Sequence, residues 1–160
     1  MIILNLKTKS CMQHLLLKST FDSFSLIEGD VTTYNTFKID GYIHKSFFEE
    51  APEKDYSSWG DVREFCFNII RGKRTPLNFK FILSLPQDKF ADFLTGHEIV
   101  GISPADIQGL YLNIKYDGTS LQCTTGTSLT LFTLDKTLEN AWDHYIQQFF
   151  LTHELVNLIS

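Results

Sequence analysis

The chain has 160 residues, a formal charge of −5, 43% hydrophobic and 14% aromatic residues, which is the composition of one packed domain and excludes a disordered polymer. Three cysteines, Cys11, Cys66 and Cys123, are odd in number and far apart with no CxxC, so neither a disulfide framework nor a zinc knuckle is indicated. The apolar opening, Ile2 to Leu4 and then Leu6, is too short for a signal peptide, and no run approaches membrane-spanning length; a cytoplasmic protein without a membrane segment is expected.

Met1 to Leu6 reads as a short strand, and Thr8 or Ser10 caps a brief helix whose Cys11, Leu15 and Leu16 face inward. From Phe24 to Ile39 the apolar period is two, with Glu28, Gly29 and Asp30 as a turn between two strands. Asp40-Gly41 is a strong hairpin signal, so Tyr42 to Phe48 is expected to return as a third strand. The acidic segment Glu49 to Lys54, with Pro52, is a surface loop.

The most informative stretch is Ser57 to Leu85. Trp59, Val62, Cys66 and Ile69, flanked by Phe65 and Ile70, make the apolar stripe of a helix. Ser58 and Asp61 fit a capping box, and Gly72 is placed to close the helix in the left-handed conformation. Phe79, Phe81, Leu83 and Leu85 then alternate as a strand.

Pro86 to Leu94 is a short helix, and Leu110 to Tyr116 is a strand ending at a second turn, Asp117-Gly118. Leu121 and Cys123, then Leu129 and Leu131, give two strands separated at Gly126. A last helix, capped by Asp135 or Thr137, carries Leu138, Ala141, Trp142, Tyr145, Ile146, Phe149 and Phe150. If it continues to Ile159, then Leu155, Val156, Leu158 and Ile159 form an exposed apolar patch for a protein partner or a second copy.

Shifting the chain by 77 residues lays Leu6 on Leu83, Lys38 on Lys115 and Asp40-Gly41 on Asp117-Gly118. The expected fold is therefore α+β: a single domain over 1–160 built from two β-α-β-β-β-α pseudo-repeats, 1–75 and 76–160, sharing one largely antiparallel sheet with packed helices.

The run GLYLNIKYDGTSLQCTTGTSLTLF (Gly109 to Phe132), after FKFILSLPQDKFADFL, resembles the repeated half-domain of DNA sliding clamps, which implies a clamp-like topology of strand, helix and three strands. The long closing helices depart from that repeat and are more similar to the TATA-binding-protein family. The pieces YNTFKIDGYIHKSFF and SSWGDVREFCFNIIRGKRTP resemble a family of uncharacterised bacterial proteins of anaerobic Firmicutes, which implies no activity.

For function, Arg71, Gly72, Lys73, Arg74 and Thr75 gather two guanidinium groups, an ammonium and a hydroxyl within five residues, enough to grip a phosphate or carboxylate. The same cations would equally serve as a solvated helix cap. His44 beside Asp40 is a surface pair rather than a catalytic one, Cys66 lies on the apolar face, and His144 and His153 are too far apart to share a metal; no catalytic group, metal or cofactor is assigned.

Charge is uneven. Residues 1–80 carry eleven Lys or Arg against ten Asp or Glu, and residues 81–160 three against nine. Nucleic acid is a partner only if Lys7, Lys9, Lys18, Arg71, Lys73 and Arg74 share a face. The expectation is a non-enzymatic module for macromolecular binding or assembly; the alternatives are a phosphate- or nucleotide-binding protein or enzyme using the Arg71–Arg74 loop, and a nucleic-acid-binding protein.

Overall fold

In a computed structural model that describes residues 1–156, the elements are β1 (Ile3–Leu6), α1 (Thr8–Leu16), β2 (Ser25–Thr32), β3 (Thr36–Asp40), α2 (Trp59–Ile70), β4 (Asn78–Ser84), α3 (Phe90–Gly96), β5 (Ile107–Tyr116), β6 (Leu121–Leu129) and α4 (Thr137–Thr152). The strands form one sheet in the order β1-β6-β5-β4-β2-β3, antiparallel at every pairing. The α+β class and the single antiparallel sheet are as the alternation of periods two and 3.6 implied.

The period-two residues explain where the core sits. Phe79, Phe81 and Leu83 of β4, Leu110, Leu112 and Ile114 of β5, and Leu121 and Cys123 of β6 are buried on one face. Onto that face the helices bring Cys11, Leu15 and Leu16 from α1, Trp59, Cys66 and Ile70 from α2, Phe90, Phe93 and Leu94 from α3, and Leu138, Trp142, Ile146 and Phe150 from α4. Both tryptophans are fully buried, and each indole N–H finds a backbone carbonyl: Trp59 donates to Leu15 at 2.7 Å and Trp142 to Tyr111 at 2.9 Å. Burying a ring of this size therefore leaves no donor unpaired.

Several elements depart from the sequence reading. Glu28-Gly29-Asp30 is not a turn: β2 runs straight through it, and Gly29 is buried where a Cβ would come within 2.5 Å of the Phe81 ring. The turn lies instead between Thr32 and Thr36. Gly126 likewise sits inside a single strand, β6. Tyr42 to Phe48 forms no strand; only Tyr42 pairs, with Tyr56, before a short 3₁₀ turn at Lys45–Phe47.

Each half is consequently β-α-β-β-α, with two strands after the short helix rather than three. Exchanging the halves would carry β2-β3 onto β5-β6, but the pairings β4-β5 and β1-β6 have no counterparts at β1-β2 and β4-β3. The clamp-like pseudo-twofold plan is thereby overturned. The 77-residue shift lays β3 on the end of β5, not on β6.

At the C-terminus, α4 stops at Thr152 and Glu154 takes a positive φ of 57°. The chain then turns back: the Lys7 N–H donates to the Leu155 carbonyl at 2.8 Å, and Val156 lies opposite Leu6 beside β1. Leu155 and Val156 are buried, so the apolar patch expected there does not exist over those residues; Leu158 and Ile159 lie outside the described residues. The remaining outer face of α4, Asn140, His144, Gln147 and Gln148, is polar. Among the described residues no helix is long and apolar enough to cross a membrane.

Candidate functional site

The antiparallel register gives the sheet two distinct ends. One gathers Lys7, the turn 33–35, the α2-β4 connection 71–77, the β5-β6 turn 117–120 and the returning tail 153–156, and these carry Lys7, Arg71, Lys73 and Arg74 against Asp117 and Glu154. The connections at the other end, 17–24, 41–58, 85–106 and 130–136, carry five Lys against ten Asp or Glu. Charge is thus uneven between the two ends of the sheet, and both halves of the sequence supply the acidic end.

At the basic end a cleft of about 590 Å³ is lined by Thr33, Tyr34, Ile69, Ile70, Arg71 to Thr75 and Leu77. Two walls form it. The α2-β4 connection is one; it is anchored where the Arg71 N–H donates to the Phe67 carbonyl at 2.8 Å and the Leu77 N–H to the Thr32 carbonyl at 2.8 Å. The β2-β3 turn is the other, closed by the Thr33 N–H on the Asn35 carbonyl at 2.9 Å.

All five residues singled out in the sequence line this cleft. Among the described residues, none of Arg71, Lys73 and Arg74 enters an ion pair. The cations follow directly on the C-terminus of α2, where they also complement the negative end of the helix. Gly72 does not make a left-handed cap: its φ is 155°, far from the value near +57° of that conformation, and α2 ends because Arg71 is already extended. The capping box at the other end of α2 is replaced by a cation: Lys54 Nζ donates to both Ser58 Oγ and Asp61 Oδ2 at 2.9 Å, and this holds the Asp61 carboxyl below its ordinary range.

Two cleft residues were missed in the sequence. Tyr34 is 87% exposed, with its ring edge-on to Phe37 at 6.2 Å between centroids. Among the described residues the buried Thr33 hydroxyl finds no hydrogen-bond partner, as is also true of Asn113 Oδ1 in β5. The only signal for either was the polar stretch Thr32 to Asn35, hidden by placing the turn at Glu28.

The other candidates separate. Lys18 lies in the connection to β2 at the acidic end, so the six cations required for a nucleic-acid face do not come together. A different basic row does form: the outer face of the sheet aligns Lys38, Asp30, Lys80, Lys115, Gln122 and Asn5 from edge to edge. Asp40 Oδ1 accepts the Tyr42 N–H at 2.8 Å, and the exposed His44 ring stands edge-on to Tyr42. Cys11 and Cys66 are buried, with thiols pushed up to about 12 by desolvation, and burial raises Cys123 as well; none is a thiolate nucleophile at neutral pH. His14 and His153 face each other with ring centroids 6.0 Å apart, and burial lowers the His14 pKa. Among the described residues no three His, Cys, Asp or Glu are grouped to hold a metal.

Comparison with known proteins adds one finding: a model described as a family of unknown function, DUF5721, matches residues 14–157. No curated protein and no solved structure matches the chain.

Proposed function

We propose, from the premise that this chain belongs to DUF5721, a family of unknown function, that it is a non-enzymatic binding module whose basic-end cleft takes a nucleotide-type ligand. The observation that carries this reading is the cleft itself: Arg71, Lys73 and Arg74, without an ion pair among the described residues, share one concavity with an exposed tyrosine ring. Guanidinium forks grip phosphate oxygens in pairs, Thr75 offers a hydroxyl donor, and a flat base stacks on Tyr34. The described lining contains no carboxylate, histidine or thiol, and the chemistry we propose for the cleft is binding.

Calorimetric titration with ADP, inorganic phosphate and adenosine tests this. ADP is expected to bind most tightly. Arg71→Ala and Arg74→Ala each weaken ADP about tenfold, or roughly 1.4 kcal/mol, for a lost charge-assisted contact. Tyr34→Ala weakens ADP and leaves phosphate unchanged, and added salt weakens both anions. No ADP binding at millimolar concentration, or binding indifferent to both arginine variants, overturns the proposal.

A further inference from the structure

The two edges of the sheet are treated differently. The edge of β1 is occupied at its end by the returning tail, through Lys7 with Leu155 and Leu6 with Val156. β3 is the opposite edge. It pairs with β2 alone, and among the described residues nothing pairs with its outer side. It has no proline and no bulge, and none of its five residues is fully buried. An unprotected edge is a template for another strand.

We infer that β3 pairs antiparallel with β3 of a second copy of this chain, about a two-fold axis through Ile39. The hydrogen-bond phase narrows the choice. The Gly41 N–H donates to Ile27 at 3.0 Å and the Thr33 N–H to Asn35 at 2.9 Å. With Asp40 opposite Glu28 and Thr36 opposite Thr32, these bonds mark both pairs as non-hydrogen-bonded, so Phe37 and Ile39 bond to β2. Thr36, Lys38 and Asp40 therefore turn their N–H and C=O groups outward, and a partner strand must pair with those three.

Self-pairing that engages at least two of these residues then has three two-fold registers. About Lys38, that residue faces itself, and like charges directly opposite are destabilising. About Phe37, Lys38 faces Thr36. About Ile39, Lys38 of each copy faces Asp40 of the other, giving two opposite-charge pairs, each exchanging both backbone hydrogen bonds. Lys38 and Asp40 are both exposed, and among the described residues neither is in an ion pair.

The helix layer extends the surface. Arg63 is tied to Asp22, which precedes β2, at 2.9 and 3.0 Å, so the other flank of α2, with Val62, Phe65 and Ile69, lies toward β3. Phe65 is 68% exposed there, an apolar side chain for the second copy to cover. This inference uses none of the cleft cations and stands apart from the nucleotide reading.

Sedimentation velocity from low to high micromolar concentration is the test. The wild type is expected to sediment as a dimer of the 18.4 kDa chain. Lys38→Asp and Asp40→Lys, each confirmed as folded by its thermal melt, are expected to be monomers, because each sets like charges opposite. The double variant Lys38→Asp/Asp40→Lys, and an equimolar mixture of the two single variants, are expected to recover the dimer. A wild type that stays monomeric overturns the inference, as does a dimer indifferent to both single variants. Single variants that dissociate while neither the swap nor the mixture recovers the dimer overturn the register.

Discussion

Asp40-Gly41 and Asp117-Gly118 are the same dipeptide at the end of a strand, and the chain does opposite things after them. At Asp117 it reverses at once. Gly118 has φ of 99°, the Asp117 N–H donates to the Ser120 carbonyl at 3.2 Å, and Leu121 starts β6 directly opposite Tyr116. At Asp40 it leaves the sheet. Gly41 is buried with no positive φ; its N–H donates to Ile27, its carbonyl accepts from Ser57 at 2.9 Å, and the chain returns only at Tyr56. One glycine supplies a rare backbone angle and the other supplies the absence of a side chain. What separates them is the sequence that follows: Leu121, Cys123 and Thr125 give the next strand a buried face, while His44 to Lys54 offers no such alternation.

The difference can be broken most severely at Gly41. A Cβ there would lie 1.7 Å from the Leu26 carbonyl oxygen, a backbone atom that cannot rotate away. Gly41→Ala is expected to cost about 3 kcal/mol or more and to lower the melting temperature by roughly 10 °C, with loss of the pairing between residues 41–43 and 55–57 seen as faster amide exchange there. Gly118→Ala meets a softer obstacle, positive φ together with a Cβ 2.9 Å from the Leu77 carbonyl. Its expected cost is about 1–2 kcal/mol, read by chemical denaturation. If Gly118→Ala proves the more damaging, backbone angle and not close approach sets the scale at these two glycines.

The same contrast explains how much was legible in the sequence. Helices α1, α2 and α4 and strands β4 and β5 were readable because each carries enough apolar residues at one period to define a face, such as Trp59, Cys66 and Ile70 or Phe79, Phe81 and Leu83. The misplaced turns fell on glycines. Gly29, Gly41 and Gly126 all looked like turns, yet Gly29 gives way to the Phe81 ring and Gly126 sits mid-strand across from Tyr111. Those partners are distant in sequence, so local pattern could not reveal them. The five residues of the basic loop were visible as a charge cluster. The second wall of the cleft, Thr33 and Tyr34, depended on the strand pairing of β2 with β3 and was not.

Charge gives the smallest and most selective test. Asp117 Oδ1 accepts the N–H groups of Thr119 and Ser120 at 2.9 and 2.8 Å, and the Ser120 hydroxyl donates to Oδ2 at 3.3 Å, whereas Asp40 holds a single N–H. The Ser120 and Thr119 amides hold the Asp117 carboxyl below the ordinary aspartate value. A depressed folded pKa means that the ionised carboxylate stabilises the fold above its unfolded value, and that this contribution is lost as pH falls through the folded value. Asp117→Asn is therefore expected to melt slightly below the wild type at neutral pH, with the gap closing on acidification as the wild-type carboxylate takes up its proton. The side chain is exposed, so added salt narrows the gap as well. A gap that stays constant from neutral to acidic pH would mean that the turn needs only the shape of the side chain, and that its charge contributes nothing to reversing the chain at Asp117.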